Sequence, residues 1–296
     1  MTMSIDTTKF LANTSKLLDA LNVFQFNPAL EPNKDHFGSH IELTDFQFNN
    51  ARMIKGLTDS IIDWVFSKPD AKRIFEEAYG PTGDLSAATA TLYNSARDTI
   101  RIAQPQGQFG ELLLSFFLQH LFQAAPLLRK QPVRTSDNLE RFGADAIHYK
   151  GTGGHEVYIG ESKCYKSVYK FPSAFEESIT SMGNTLSSFH DEIRKFIAGG
   201  FIEPELKSIA VQLLSNRLQP VKLNPVSIII YNETAKFTDT GLEIKEQIRG
   251  AIIHQCSKIK SDIYKSLEGV ALSRFTYIII PVWKLDEFLD EFVKSL

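Results

Sequence analysis

The sequence predicts an α/β fold, a mixed sheet flanked by helices, preceded by a mainly helical amino-terminal part. Two runs, Val226–Tyr231 and Phe275–Ile280, are nearly continuous in β-branched and aromatic residues, which is the pattern of strands covered on both faces. Between them, Ile244, Ile248, Ile252, Cys256, Ile259 and Ile263 recur at helical spacing, predicting a helix over Leu242–Leu267 that crosses from one strand to the other. Upstream, two extended runs flank Gly151-Thr152-Gly153-Gly154, a glycine cluster suited to a hairpin turn.

The elements follow in order. Residues 1–104 read as a mainly helical part and 105–296 as the α/β domain. Asn27–Asp45 holds Pro28, Pro32 and Gly38 with little regular apolar spacing, and reads as irregular. Helices are expected at Arg52–Phe66 and Ala71–Tyr79, separated by Lys68-Pro69-Asp70, where proline suits a first helical turn. Gly80-Pro81-Thr82-Gly83 and Pro105-Gln106-Gly107 break the chain. Gln108–Gln123 is apolar nearly all round, the mark of a helix buried in a core. The hairpin strands are placed at Ala144–Tyr149 and Val157–Tyr165. A long amphipathic helix follows through Ile179, Met182, Leu186, Phe189, Ile193 and Phe196, and Trp283–Phe292 supplies a terminal helix.

With 296 residues, 43% of them hydrophobic and 23% charged, and a mean hydropathy of −0.14, the chain has the composition of a globular protein with one large domain or two. Its longest apolar stretch, Leu112–Phe122, is interrupted by Ser115, Gln119 and His120 and falls short of the ~20 residues that span a bilayer. The amino terminus has no basic leader followed by an apolar block. Cys164 and Cys256 are far apart and form neither a disulfide framework nor a zinc-ligand spacing. A reduced, cytoplasmic protein is expected. The formal net charge of −3 does not advertise nucleic-acid binding. Locally, however, Arg129, Lys130, Arg134, Arg141, Lys150, Lys163, Lys166 and Lys170 outnumber Asp137, Glu140, Asp145, Glu156 and Glu161.

The residues that carry chemistry are Glu111, Asp145, Glu161 and Lys163. Two apart in Gly160-Glu161-Ser162-Lys163, Glu161 and Lys163 leave a strand on the same face. A hairpin pivoting at Gly153 sets Asp145 across from Glu161. Like charges facing each other across a strand pair are destabilising without a counter-ion, and a divalent cation would remove that penalty. Two carboxylates with waters suit Mg2+ or Mn2+, whose chemistry is phosphodiester hydrolysis. Lys163 would orient the attacking water, its pKa lowered by neighbouring cations. Glu111, in the first turn of the buried helix, would be an auxiliary ligand or hold a metal-bound water. Its ordinary reading is a carboxylate favourably placed near its own helix N-terminus.

Gly110-Glu111, Gly143-Ala144-Asp145-Ala146 and Gly160-Glu161-Ser162-Lys163 resemble the successive motifs of the PD-(D/E)XK nuclease superfamily over about residues 105–232. Ala144 stands where the superfamily name has proline. More narrowly, the motifs, chain length and helical leader resemble the HamA family, nuclease subunits of the Hachiman anti-phage defence system, and the related AbpA. The resemblance implies a restriction-endonuclease-like sheet. It also implies a metal-dependent deoxyribonuclease, paired with a HamB-like helicase that restrains it until phage replication or DNA damage. The residues alone leave DNA or RNA open, and also a catalytically silent nuclease-fold subunit that holds a partner.

Other groups are weighed against simpler roles. Asp35, His36, His40 and Glu42 read as polar loop residues rather than a metal site, lacking helical histidine pairing. His120 reads as a hydrogen-bonded core histidine and Cys164 as a small buried hydrophobe. Ser187, Ser188, His190 and Asp191 lack the elbow that a nucleophilic serine requires. Lys166, Tyr169 and Lys170, with Tyr165, interleave bases and aromatics after the catalytic strand and are candidates to grip nucleic acid. Residues 1 to about 100, with no chemistry of their own, are expected to dock the helicase partner.

Overall fold

The computed structural model describes residues 6–101, 104–129, 143–199, 202–237, 241–267 and 269–296. The amino-terminal part contributes α1 (Ser15–Leu18), strands β1 (Leu21–Phe26) and β2 (His36–Ile41), and a small hairpin of β3 (Leu43–Thr44) and β4 (Gln47–Phe48). Three helices follow: α2 (Asn50–Val65), α3 (Lys68–Tyr79) and α4 (Leu85–Arg97). Next come α5 (Pro105–Phe122), β5 (Ala125–Pro126), β6 (Ala146–Lys150) and β7 (His155–Tyr165). After them lie α6 (Phe171–Ser187), α7 (Phe189–Gly199), α8 (Lys207–Leu214) and β8 (Val221–Glu233). The chain closes with α9 (Gly241–Cys256), α10 (Gly269–Arg274), β9 (Thr276–Trp283) and α11 (Leu285–Ser295).

Among the described residues, seven strands form one mixed sheet in the order β1-β2-β9-β8-β7-β6-β5. Its centre is parallel, with β7, β8, β9 and β2 running together, and β6 and β1 joined antiparallel on either side. The continuous apolar runs occupy β8 and β9, as expected of strands buried on both faces. Ile229 and Tyr231 of β8 enter one core with α6, α7, α8 and α9, whereas Ile228 and Ile230 enter the other with α2, α5 and α11. The all-round apolar helix is α5, wedged between the sheet and α2. Phe109, Leu113, Phe116 and Phe117 are each at most 1% exposed, and burying such a side chain stabilises by roughly 1.5–3 kcal/mol.

The structure departs from the expected layout in three places. Within the stretch read as irregular, β2 pairs antiparallel with β1 and parallel with β9 at Phe37↔Ile278 and Gly38↔Ile279. The sheet therefore runs across the expected boundary at 104/105, and the amino-terminal part supplies strands as well as helices. The pattern hid β2 because its buried His36, Ser39 and His40 are polar and its strand pairing is with β1 and the distant β9. His36 Nε2 bonds the Pro32 carbonyl at 3.1 Å, and its Nδ1 accepts the Tyr277 N–H at 3.2 Å. Burial pushes His36 down to about 4.

Second, the long amphipathic helix is two helices, α6 and α7. The Ser187 and Ser188 hydroxyls donate to the Gly183 and Asn184 carbonyls, both at 2.9 Å, and Ser188 leaves helical geometry at φ −106°, ψ 12°. The period survives because both helices bury the same core face. Third, α9 stops at Cys256 and the chain continues as a 3-10 segment, Ser261–Ser266. Ile259 and Ile263 keep their packing through that change of backbone.

Candidate functional site

The β6–β7 hairpin turns through Gly153 and Gly154 at φ +80° and +141°, conformations that favour glycine. Its register pairs Ala146 with Gly160 and Lys150 with Glu156, so the next step outward brings Asp145 opposite Glu161. The Asp145 N–H donates to the Gly160 carbonyl at 3.0 Å, and Asp145 Oδ2 accepts the Ser162 N–H at 2.8 Å. Asp145 thus closes the end of the strand pair and presents its carboxylate beside Glu161.

Glu161 and Lys163 face α6, as the two-residue spacing requires. Glu161 is only 4% exposed. Burial, then repulsion from Asp145, pushes its carboxyl up to about 7, against the pull of Lys163 and Ser181. Lys163 Nζ donates to Glu161 Oε1 at 2.8 Å. Burial pulls Lys163 down, but the carboxylates of Glu161, Asp145 and Glu177 outweigh it and hold the ammonium above its ordinary value. With these carboxylates as its neighbours, Lys163 stands as a charged donor. It also supplies counter-charge to the facing carboxylates.

Helix α6 adds two residues that sequence reasoning missed. Glu177 accepts the Tyr165 hydroxyl and lies near Lys163, and Ser181 bonds Glu161. Their spacing of four along one helix was a readable signal, but nothing in it named β7 as the facing strand. Beneath them Ser227 of β8 pairs with Glu161 in register and shares a hydrogen bond with Ser178 of α6.

Glu111 lies on the other side of the sheet. Helix α5 crosses β7 so closely at Gly110 that a Cβ there would come within 2.9 Å of Ser162 Oγ. Ser162 and Cys164 point toward α5, and Glu161 and Lys163 away from it. The half-buried Glu111 rides this crossing, and among the described residues no group of three or more His, Cys, Asp or Glu is gathered tightly enough to hold a metal. The structure brings together Asp145, Glu161 and Lys163, and does not bring Glu111 into a three-ligand set with them. The two carboxylates do fit a divalent cation. Burial and the facing Asp145 disfavour the ionised form of Glu161, and oxygen ligands completed by water suit Mg2+ or Mn2+.

The other candidates resolve as follows. Lys166 pairs with Asp286 at 2.5 Å, both partly exposed, Tyr169 is 91% exposed, and Lys170 is exposed at the start of α6. Arg129 belongs to the fold: its Nε donates to Glu203 at 2.6 Å and its Nη1 to the Asp63 carbonyl at 2.7 Å, at the end of α2. Lys130, Arg134, Asp137, Glu140 and Arg141 lie outside the described residues. His120 is corrected from a core position to an exposed one on the last turn of α5, bonded to Thr14 Oγ1 at 3.2 Å. His36 and His40 sit in a strand, not a loop; His40 Nδ1 bonds the Ile41 carbonyl at 2.8 Å, and Glu42 pairs with Arg52. Cys164 packs against the α5-side core, and burial pushes its thiol up to about 12. Cys164 and Cys256 are both free thiols.

A mixed seven-stranded sheet with helices on both faces, bearing a carboxylate pair and a lysine on adjacent strands, defines an α/β protein consistent with the restriction-endonuclease-like fold. The chain matches the HamA family model over residues 17–296, nearly its whole length, and it belongs to the HamA family. That membership makes it a component of Hachiman anti-phage defence. Comparison with curated proteins gives no significant match. No described helix is long and apolar enough to cross a membrane.

Proposed function

We propose that this chain is a divalent-metal-dependent DNA nuclease, the effector subunit of its defence complex, controlled by a helicase partner. The observation that carries the reading is the Asp145–Glu161–Lys163 cluster, two facing carboxylates, one of them buried, and a half-buried ammonium held by backbone register. Asp145 and Glu161 would hold Mg2+ or Mn2+, which when bound supplies Lewis-acid polarisation of the scissile phosphate and an acidified water. Lys163, charged and 2.8 Å from Glu161, orients the attacking water and offsets charge developing on the phosphate. Tyr169 and Lys170, exposed after the same strand, and Lys166, once released from Asp286, would meet the nucleic-acid backbone or a splayed base. Glu111, on α5 where it crosses β7, is assigned an auxiliary role.

The test is cleavage of plasmid DNA by purified protein with Mg2+ or Mn2+, comparing wild type with a Glu161→Ala, Lys163→Ala double variant. Wild-type cutting by the double variant would overturn the site. A second reading, a silent nuclease-fold interaction subunit, is favoured by the absence of a three-ligand metal group among the described residues. Calorimetry separates the two, since normal partner binding without divalent-ion binding supports the silent subunit. RNA offered beside DNA tests a structure-specific ribonuclease.

Partner docking is assigned to the α3–α4 hairpin. Helix α3 has no buried residue and α4 buries only Ala88 and Ala96, while Tyr79 and Leu85 are 38% and 63% exposed. Removing residues 1–100 would also delete β1, β2 and α2 from the sheet and core, so surface substitutions on the hairpin are the cleaner probe.

A further inference from the structure

We propose that Glu192, in the first turn of α7, is a positioning residue for Asp145. This inference rests on the reading of Asp145 as a metal-holding carboxylate. Glu192 is only 7% exposed, although a carboxylate in a first helical turn gains its favourable dipole interaction at the surface and its burial without partners is costly. Its side chain reaches the two residues that lead into Asp145. Glu192 Oε2 accepts the Ala144 N–H at 3.2 Å. A Cβ on Gly143 would lie 2.7 Å from the Glu192 carboxyl carbon and 2.8 Å from each of its oxygens.

Gly143 is therefore required twice over. Its φ of +108° lies in the region that side chains rarely adopt, and its missing side chain is the space that the Glu192 carboxylate fills. Asp145 itself precedes β6, which begins at Ala146, so the ladder alone does not fix it. Its position is set on one side by the bonds to Gly160 and Ser162 and on the other by Glu192 holding Ala144. Glu192 holds the backbone of the two residues before Asp145. The Gly-Ala-Asp-Ala motif thus reads as a glycine that admits a buried carboxylate, a clamped N–H, and then the ligand.

The experiment is amide hydrogen exchange on the full-length protein, with Glu192→Ala and Glu192→Gln variants, read alongside cleavage kinetics. In the alanine variant the Ala144, Asp145 and Ser162 amides are expected to exchange at least about tenfold faster, with β8 and β9 unchanged. Glutamine, which keeps an oxygen acceptor, is expected to restore most of the protection. Cleavage by the alanine variant should fall about 10–100-fold in kcat with KM for DNA within about twofold, the cost of a misplaced ligand. Unchanged exchange at these amides, equal acceleration throughout the sheet, or a glutamine variant as labile as alanine would each overturn the assignment. Exchange is measured without metal or DNA, so it decides the positioning role even if wild type proves not to cleave, an outcome that would instead count against the nuclease reading.

Discussion

Replacing Glu161 by glutamine is expected to stabilise the metal-free protein at pH 8 and to leave it unchanged at pH 4.5. Glutamine matches the size and hydrogen bonding of the protonated carboxyl, so the comparison isolates the ionised form. Glu161 is held at about 7 instead of its ordinary 4.5, by burial and by Asp145. At about 1.4 kcal/mol for each tenfold change in proton affinity, ionising it in the folded state carries a penalty of about 3 kcal/mol. The sign follows from linkage: a carboxyl raised by folding contributes stability that is fully present below 4.5 and lost as pH rises through about 7. Wild type loses that contribution by pH 8, and the glutamine variant does not. With an unfolding entropy of roughly 2.1 cal/mol/K per residue, the gap is roughly 5 °C in Tm. The assay is thermal unfolding in EDTA at pH 4.5, 6 and 8 for wild type, Glu161→Gln and Asp145→Asn. The asparagine variant removes the repulsion and should move the wild-type loss to lower pH. Saturating Mg2+ or Mn2+ should stabilise wild type alone and narrow the gap. A glutamine variant less stable than wild type at pH 8, or a difference independent of pH, would refute the argument that Glu161 is a carboxylate awaiting a cation.

Protons and metal should compete at the same carboxylate, so wild type at pH 6 should need about tenfold more Mg2+ for half-maximal cleavage than at pH 8; a pH-independent requirement in metal titrations would contradict the assignment. The Glu161→Ala, Lys163→Ala variant should lose cleavage while keeping its circular dichroism spectrum, because neither side chain belongs to either hydrophobic core. Gly110→Ala forces a methyl group to within 2.9 Å of Ser162 Oγ and should cost about 1–3 kcal/mol in denaturant unfolding. A neutral result there would mean that the close α5–β7 contact yields to a methyl group. Tyr79→Lys with Leu85→Glu should weaken co-purification with the helicase partner and leave Tm within about 1 °C, as expected for exposed sites; undiminished binding would remove the hairpin as the docking surface.

What the sequence by itself determined was local and periodic. The β-branched runs specified β8 and β9, the all-round apolar stretch specified α5, and the glycine cluster fixed a turn whose symmetry about Gly153 already set Asp145 against Glu161. These features were legible because strand alternation and hairpin register are properties of short segments. The tertiary structure decided whatever depended on a distant partner. His36 and His40 look like loop residues until β1 and the distant β9 pair with His36–Ile41 and make it a strand in the main sheet. Glu177 and Ser181 carry no motif; they join the site because α6 packs on the face that β7 presents to it, while Glu192 of α7 reaches the backbone before Asp145. The same packing folds carboxylates around Lys163 that favour its charged form. It also left Glu111 at the α5 crossing, on the face opposite Glu161. A side chain's spacing sets the face from which it leaves its own element, but its charge state and its partners are set by the elements that fold against that face.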